Sequence, residues 1–212
     1  LHGTENPTRP CPMSHVTNRG AHSSAPIDFQ EFMIAPVGAK TFSKGLQMVT
    51  EIFHALKSVL KDGGFDTTVG DEGGFAPGVA IKPAKNKFGY EIKGVMTLEK
   101  ALAALKTATE KAGYKFGTDI KIALDVASSE FCDKNTKKGK PETYTFKKST
   151  KKTLKSADMV KLYEKLIDKY SIFSIEDGLD EADWAGWKVM TDKLGAKINL
   201  VGDDLFVTNP TI

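Results

Sequence analysis

Three apolar runs in this chain each stop on a carboxylate, and that pattern limits the fold more than any other feature. KIALD (121–125) ends on Asp125, SIFSIED (171–177) presents Glu176, and INLVGDD (198–204) presents Asp203. Continuous apolar runs of this length are strands covered on both faces, and helical stretches between them call for parallel pairing with crossover connections. All three acids then fall at the C-terminal ends of successive strands, the rim where parallel α/β sheets carry their chemistry.

The rest of the chain has the same rhythm. FQEFMIAPV (29–37) reads as a strand carrying one polar group, Glu31. In the helix that follows, Phe42, Leu46, Val49, Phe53, Leu56 and Leu60 line one face, and Gly63-Gly64 stops it. A second helix over 97–113 has Leu98, Ala101, Leu102 and Leu105 on its face and ends at Gly113. A third, 156–170, opens on Ser156 as a cap and aligns Met159, Leu162, Tyr163, Leu166, Ile167 and Tyr170. A fourth, 180–195, aligns Trp184, Trp187, Thr191 and Leu194. An open doubly wound sheet and a closed barrel both suit this order. A barrel needs eight strands over about 250 residues, and roughly five can be counted here, so the expected fold class is α/β, an incomplete TIM-type (β/α) barrel.

Three anions on one rim raise one another's pKa unless a cation neutralises them. Oxygen ligands that leave room for water and substrate suit Mg²⁺; the bland alternative has each acid capping the helix after it. VGDEGGFAP (69–77) is a glycine-rich loop with Asp71 and Glu72 at its tip, fit for close approach to a ligand or for an exposed turn. NRGAHSSAPIDFQEF (18–32) brings His22 and Glu31 to a loop-to-strand entry. The lysine-dense stretch 133–155, with Tyr144 and Phe146 interleaved, reads as a solvated insertion between a strand and its helix, with a polyanion site as the alternative.

Composition excludes several classes. Thirty basic against 27 acidic side chains give +3, too mild to argue for nucleic acid. Two cysteines, Cys11 and Cys132, cannot make the framework of a small secreted scaffold, which points to a reducing, cytoplasmic setting. No apolar run is long enough to cross a bilayer. The DEGG of the loop fits the DxxG pattern of GTPases, but GxxxxGK[ST] is absent, and a phosphate-loop NTPase cannot dispense with it.

In the order FQEFMIAPVGAKTF, VGDEGGFAP, ALDVASSEF, SIEDGLDEADW and LVGDDLFVTNP, the chain resembles the enolase family from about Pro10 to its end. The resemblance implies a Mg²⁺-dependent, reversible dehydration of 2-phosphoglycerate to phosphoenolpyruvate in glycolysis. It makes Asp125, Glu176 and Asp203 the metal ligands and puts Glu176 and Asp203 near the substrate. Glu72 becomes the acid that assists departure of the hydroxyl, and Glu31 contacts the substrate and orients that acid. Gln30 and His22 line the pocket. It further implies an irregular barrel start of two strands and two helices, a homodimer when full length, and a division into a connecting segment (1–12) and a partial barrel domain (13–212). The family's base lysine, on the next barrel strand, is expected beyond Ile212, and its small capping domain before the chain, so the 212 residues alone are expected to be inactive. Arg19 departs from the family's pattern ahead of His22, as does Ser14-His15. Another superfamily member acting on a different carboxylate, and a non-catalytic enolase-like binding protein, are the alternatives.

Overall fold

The computed structural model describes residues 10–18, 27–70, 72–78, 84–85, 91–92, 96–135 and 140–212. Its main sheet has five strands. Strands β1 (Ser14–Asn18) and β2 (Glu31–Ala35) pair antiparallel. Helix α1 (Phe42–Asp62), a short antiparallel pair β3 (Ala84–Lys85) and β4 (Glu91–Ile92), and helix α2 (Leu98–Lys111) follow. The chain then returns as β5 (Lys121–Asp125), antiparallel to β2. From there it alternates: α3 (Ser156–Tyr170), β9 (Ile172–Glu176), α4 (Trp184–Leu194), β10 (Asn199–Val201) and α5 (Asp203–Phe206), with β5, β9 and β10 mutually parallel. Two strands, two helices and then alternation is the irregular start that the resemblance implied.

Local chemistry sets the helix limits. Thr41 and Thr97 cap α1 and α2, each accepting a hydrogen bond from the backbone N–H three residues on. Gly64 (φ 73°) and Gly113 (φ 88°) turn the chain out in left-handed conformations that cost a glycine nothing. Three expectations need correction. The buried face of α1 is Gly45, Met48, Val49, Ile52, Leu56 and Leu60, so the predicted stripe holds in its second half while Phe42 and Leu46 lie about half exposed. Ser156 is the first residue of α3 rather than its cap, because its hydroxyl is taken by Asp183 Oδ2 at 2.5 Å. Trp184 is 56% exposed, and the inner face of α4 is Gly186, Trp187, Met190 and Leu194.

Between sheet and helices lies one core. Phe32, Ile34, Ile122, Leu124 and Ile175 of the strands meet Ile52, Leu56, Leu102, Leu105, Met159 and Tyr163 of the helices, all essentially inaccessible to solvent. Each such burial is worth about 1.5–3 kcal/mol, enough to hold the rim at a fixed height. The lysine-rich stretch is not a loop. After a 3-10 turn, η1 (Ser128–Phe131), it forms a three-stranded antiparallel sheet of β6 (Cys132–Asn135), β7 (Lys140–Thr145) and β8 (Thr153–Leu154). Composition concealed this because the strand faces alternate. Tyr144 and Phe146 turn inward onto Phe131 and Phe29, while lysines occupy exposed positions. Buried aromatics offer no stacking platform to a nucleic acid.

Candidate active site

Cross-strand register aligns the acids. Glu31 stands opposite Asp125, Asp125 opposite Glu176, and Glu176 opposite Val201, so one row crosses four strands at the rim. Period-two alternation puts directly opposed residues on the same face of the sheet, away from the helix-facing Phe32, Leu124 and Ile175. The backbone ladder runs on by one rung at each step: Gln30 N–H donates to Asp125 O (3.2 Å), Val126 N–H to Glu176 O (3.0 Å), and Asp177 N–H to Val201 O (3.0 Å). Just beyond the acids, Ala127 (φ 44°) and Asp177 (φ 43°) adopt left-handed backbone, rare for residues with a Cβ and concentrated at functional sites.

Asp203 stands slightly apart. Strand β10 ends at Val201, Gly202 leaves the ladder, and Asp203 opens the short helix α5 as an exposed residue. Its charge still reaches Glu176 and Asp177. His22, like Asp71 and Arg19, lies outside the described residues.

β1 adds His15, which in the sequence is only a departure from the family's pattern. Register shifts between His15 and Thr17, and this bulge keeps His15 opposite Met33, two positions along the same face from Glu31. His15 Nε2 lies 2.5 Å from Glu31 Oε2. The glycine loop completes the group. Gly70 and Gly74 close it through Gly70 N–H to Gly74 O (2.9 Å), and Gly73 takes φ 83°. Phe75 ties it down, donating its N–H to Val16 O (3.0 Å) and stacking on Phe53 of α1 at 4.3 Å. Glu72 is thereby held beside Glu31, and ligand atoms of His15, Glu31 and Glu72 lie within 4.8 Å of one another. Among the described residues that close trio is this one, not Asp125, Glu176 and Asp203.

Electrostatics mark the rim as short of positive charge. Burial, reinforced by the hydrogen bond and charge of Glu72, pushes Glu31 up to about 8, against an opposing hydrogen bond from Gln30. Asp125 rises to about 7 through burial and then the charges of Glu176 and Glu31, although Ala127 N–H donates to its Oδ1 at 3.0 Å. Burial, and after it the charge of Asp203, raises Glu176. Asp177 reaches about 6 by burial and its acidic neighbours, although Asp204 N–H donates to it. Asp177 Oδ1 and Ser128 Oγ are buried without a hydrogen-bond partner among the described residues. Carboxylates crowded to this extent, one of them with a buried oxygen left without a partner, are a donor set that fits a hard divalent cation. Asp177 was missed from sequence, although its place next to Glu176 in SIED was a usable signal.

A family model described as "Enolase, C-terminal TIM barrel domain" matches residues 7–212, nearly the entire chain and every element described above.

Proposed function

The chain belongs to the enolase C-terminal TIM barrel family, and from that premise we propose that its protein catalyses the reversible, Mg²⁺-dependent dehydration of 2-phosphoglycerate to phosphoenolpyruvate in the cytoplasm. One observation carries the reading. Glu31 is hydrogen-bonded to Glu72 and held up at about 8, on the same rim as Asp125 and Glu176. A carboxyl pair that retains a proton near neutral pH can give it to a departing hydroxyl, as general acid catalysis requires. The proton belongs to the pair, and Glu72, the more exposed member, presents it to the substrate. Glu31 orients Glu72 from the strand, and Gln30 holds Glu31 in turn.

Asp125, Glu176 and Asp203 would hold Mg²⁺, whose charge when bound offsets the negative charge that builds as a proton leaves the carbon beside a carboxylate. Ala127 N–H fixes Asp125 for that role, and the left-handed turn at Ala127 lets Ser128 N–H donate to Asp177 O (3.1 Å). The test is an assay of the full-length protein with 2-phosphoglycerate and Mg²⁺, following phosphoenolpyruvate, for the natural sequence and Glu72→Gln. Turnover that collapses in the variant is expected. Equal turnover in both would remove Glu72 from the mechanism, and turnover of a different carboxylate acid alone would reassign the substrate.

A further inference from the structure

His15 and the Glu31–Glu72 pair make a second donor set, different in chemistry from the all-oxygen rim. An imidazole nitrogen and two carboxylates come from three separately anchored elements: strand β1 through its bulge, strand β2, and the glycine loop tied to β1 and α1. Glu31 is buried, His15 about one-third exposed and Glu72 exposed, so the group opens to solvent on one side. We propose that His15, Glu31 and Glu72 form a binding site for a borderline divalent cation of the zinc type, on the same rim as Asp125, Glu176 and Asp203 but sharing no ligand with them.

Three arguments support this. Mixed nitrogen and carboxylate ligands favour Zn²⁺ over Mg²⁺, which prefers oxygen alone. Three protein ligands with one open side match sites where water takes the fourth position. Spacing also suits: bonds of about 2.0–2.1 Å put tetrahedral ligand atoms roughly 3.3 Å apart. The present 2.5 Å contact of His15 with Glu31 need open by less than an ångström, within the reach of side-chain rotation. The site does not depend on the dehydration reading, since it rests on ligand geometry alone. If both hold, a cation there ties up the carboxylates that carry the proton.

The test is calorimetric titration of Zn²⁺ into the purified protein near neutral pH with excess Mg²⁺ filling the rim. One Zn²⁺ per chain is expected, weakened about ten-fold or more by His15→Ala and by Glu72→Gln and within about two-fold of the parent in Asp203→Asn. Co²⁺ gives a second readout that does not rely on comparing affinities. Its visible spectrum should show nitrogen ligation in the parent and revert to an all-oxygen pattern in His15→Ala, with circular dichroism verifying that the variant is folded. Should His15→Ala prove unfolded, His15→Gln replaces it with the same expectation. Zn²⁺ uptake that is absent, indifferent to His15, or lost with Asp203→Asn would overturn the proposal.

Discussion

Two acid-rich regions of this molecule, which come within three residues of each other in sequence at Asp177 and Asp180, are handled in opposite ways. At the foot of α4, Asp183 accepts from Gly186 N–H (3.0 Å), Tyr144 Oη–H (2.9 Å) and Ser156 Oγ–H (2.5 Å). Lys134 lies 3.0 Å from Asp180 and 2.7 Å from Glu181, drawing Glu181 below the usual carboxylate range. Tyr144 Oη also accepts from Asp180 N–H, and Trp187 Nε1–H donates to Asp180 O. At the rim, Asp125, Glu31, Glu176 and Asp177 face mainly one another, and all are pushed upward. Residue type is the same; what differs is the balance, a lysine and side-chain hydroxyls at the foot against a few hydrogen-bond donors amid like charges at the rim. The foot is not fully served either, since Glu181 Oε2 is left without a hydrogen-bond partner among the described residues. A buried acid with its donors in place is a structural joint, and one left among other acids is poised for something that arrives from outside.

The largest expected effect strikes the rim through its chemistry. In the assayed protein, Glu72→Gln should lower turnover by about 10²–10⁴, roughly 2.7–5.5 kcal/mol of barrier, with Mg²⁺ affinity nearly unchanged. A variant that loses Mg²⁺ instead would move Glu72 into the metal shell. Next comes the foot of α4. Asp183→Ala removes a helix cap and leaves the Tyr144 hydroxyl short of a partner, so unfolding in urea should show a loss of about 2–4 kcal/mol. A loss below about 0.5 kcal/mol would place that acid in the same class as the rim.

The same kind of substitution should have the opposite sign at the rim. Without divalent cation, Asp125→Asn relieves like-charge crowding, and a gain of about 0.5–2 kcal/mol in the urea midpoint analysis is expected. The pH dependence follows from the same crowding. Folded values near 8 for Glu31 and 7 for Asp125 lie above the ordinary carboxylate range, so between roughly pH 4 and those values the folded chain binds more protons than the unfolded one. Stability from these groups is therefore full at the acid end and declines as pH rises to about 8. Thermal melts at pH 5 and pH 8, with Asp125→Asn flattening the slope and Mg²⁺ restoring the pH 8 value, measure it. A slope that rises with pH would mean that the rim acids are compensated after all.

The smallest effect sharpens the comparison from outside. Lys147 pairs with Asp133 at 3.4 Å, both substantially exposed, and exposed pairs of this kind contribute about 0–1 kcal/mol. Replacing Lys147, Lys148, Lys151 and Lys152 with Gln should keep turnover within about two-fold at physiological salt, because exposed charges beyond a Debye length are screened. A large fall would attach the β6-β7-β8 sheet to the rim's function.

Much of this was legible in residue order. Apolar runs at 121–125, 171–177 and 198–204 became parallel strands β5, β9 and β10, and glycines and threonines set the helix ends, because local signals of that sort act over a few residues. The insertion was misread because its lysines dominate composition while burial depends on which side of a strand Tyr144 and Phe146 face. Ser156 was misread because Asp183, 27 residues later, claims its hydroxyl.

What the sequence alone determined is the alternation, the type of each acid and its place at a strand end, since hydrophobic period and capping chemistry are properties of short segments. Only the tertiary structure decided which acids share a neighbourhood. Register set Glu31 beside Asp125 and Glu176, a bulge at Val16 brought His15 onto Glu31, and a hydrogen bond from Phe75 carried Glu72 to both. Those contacts join residues tens of positions apart, and their electrostatics depend on distance and burial, which no single stretch of chain encodes.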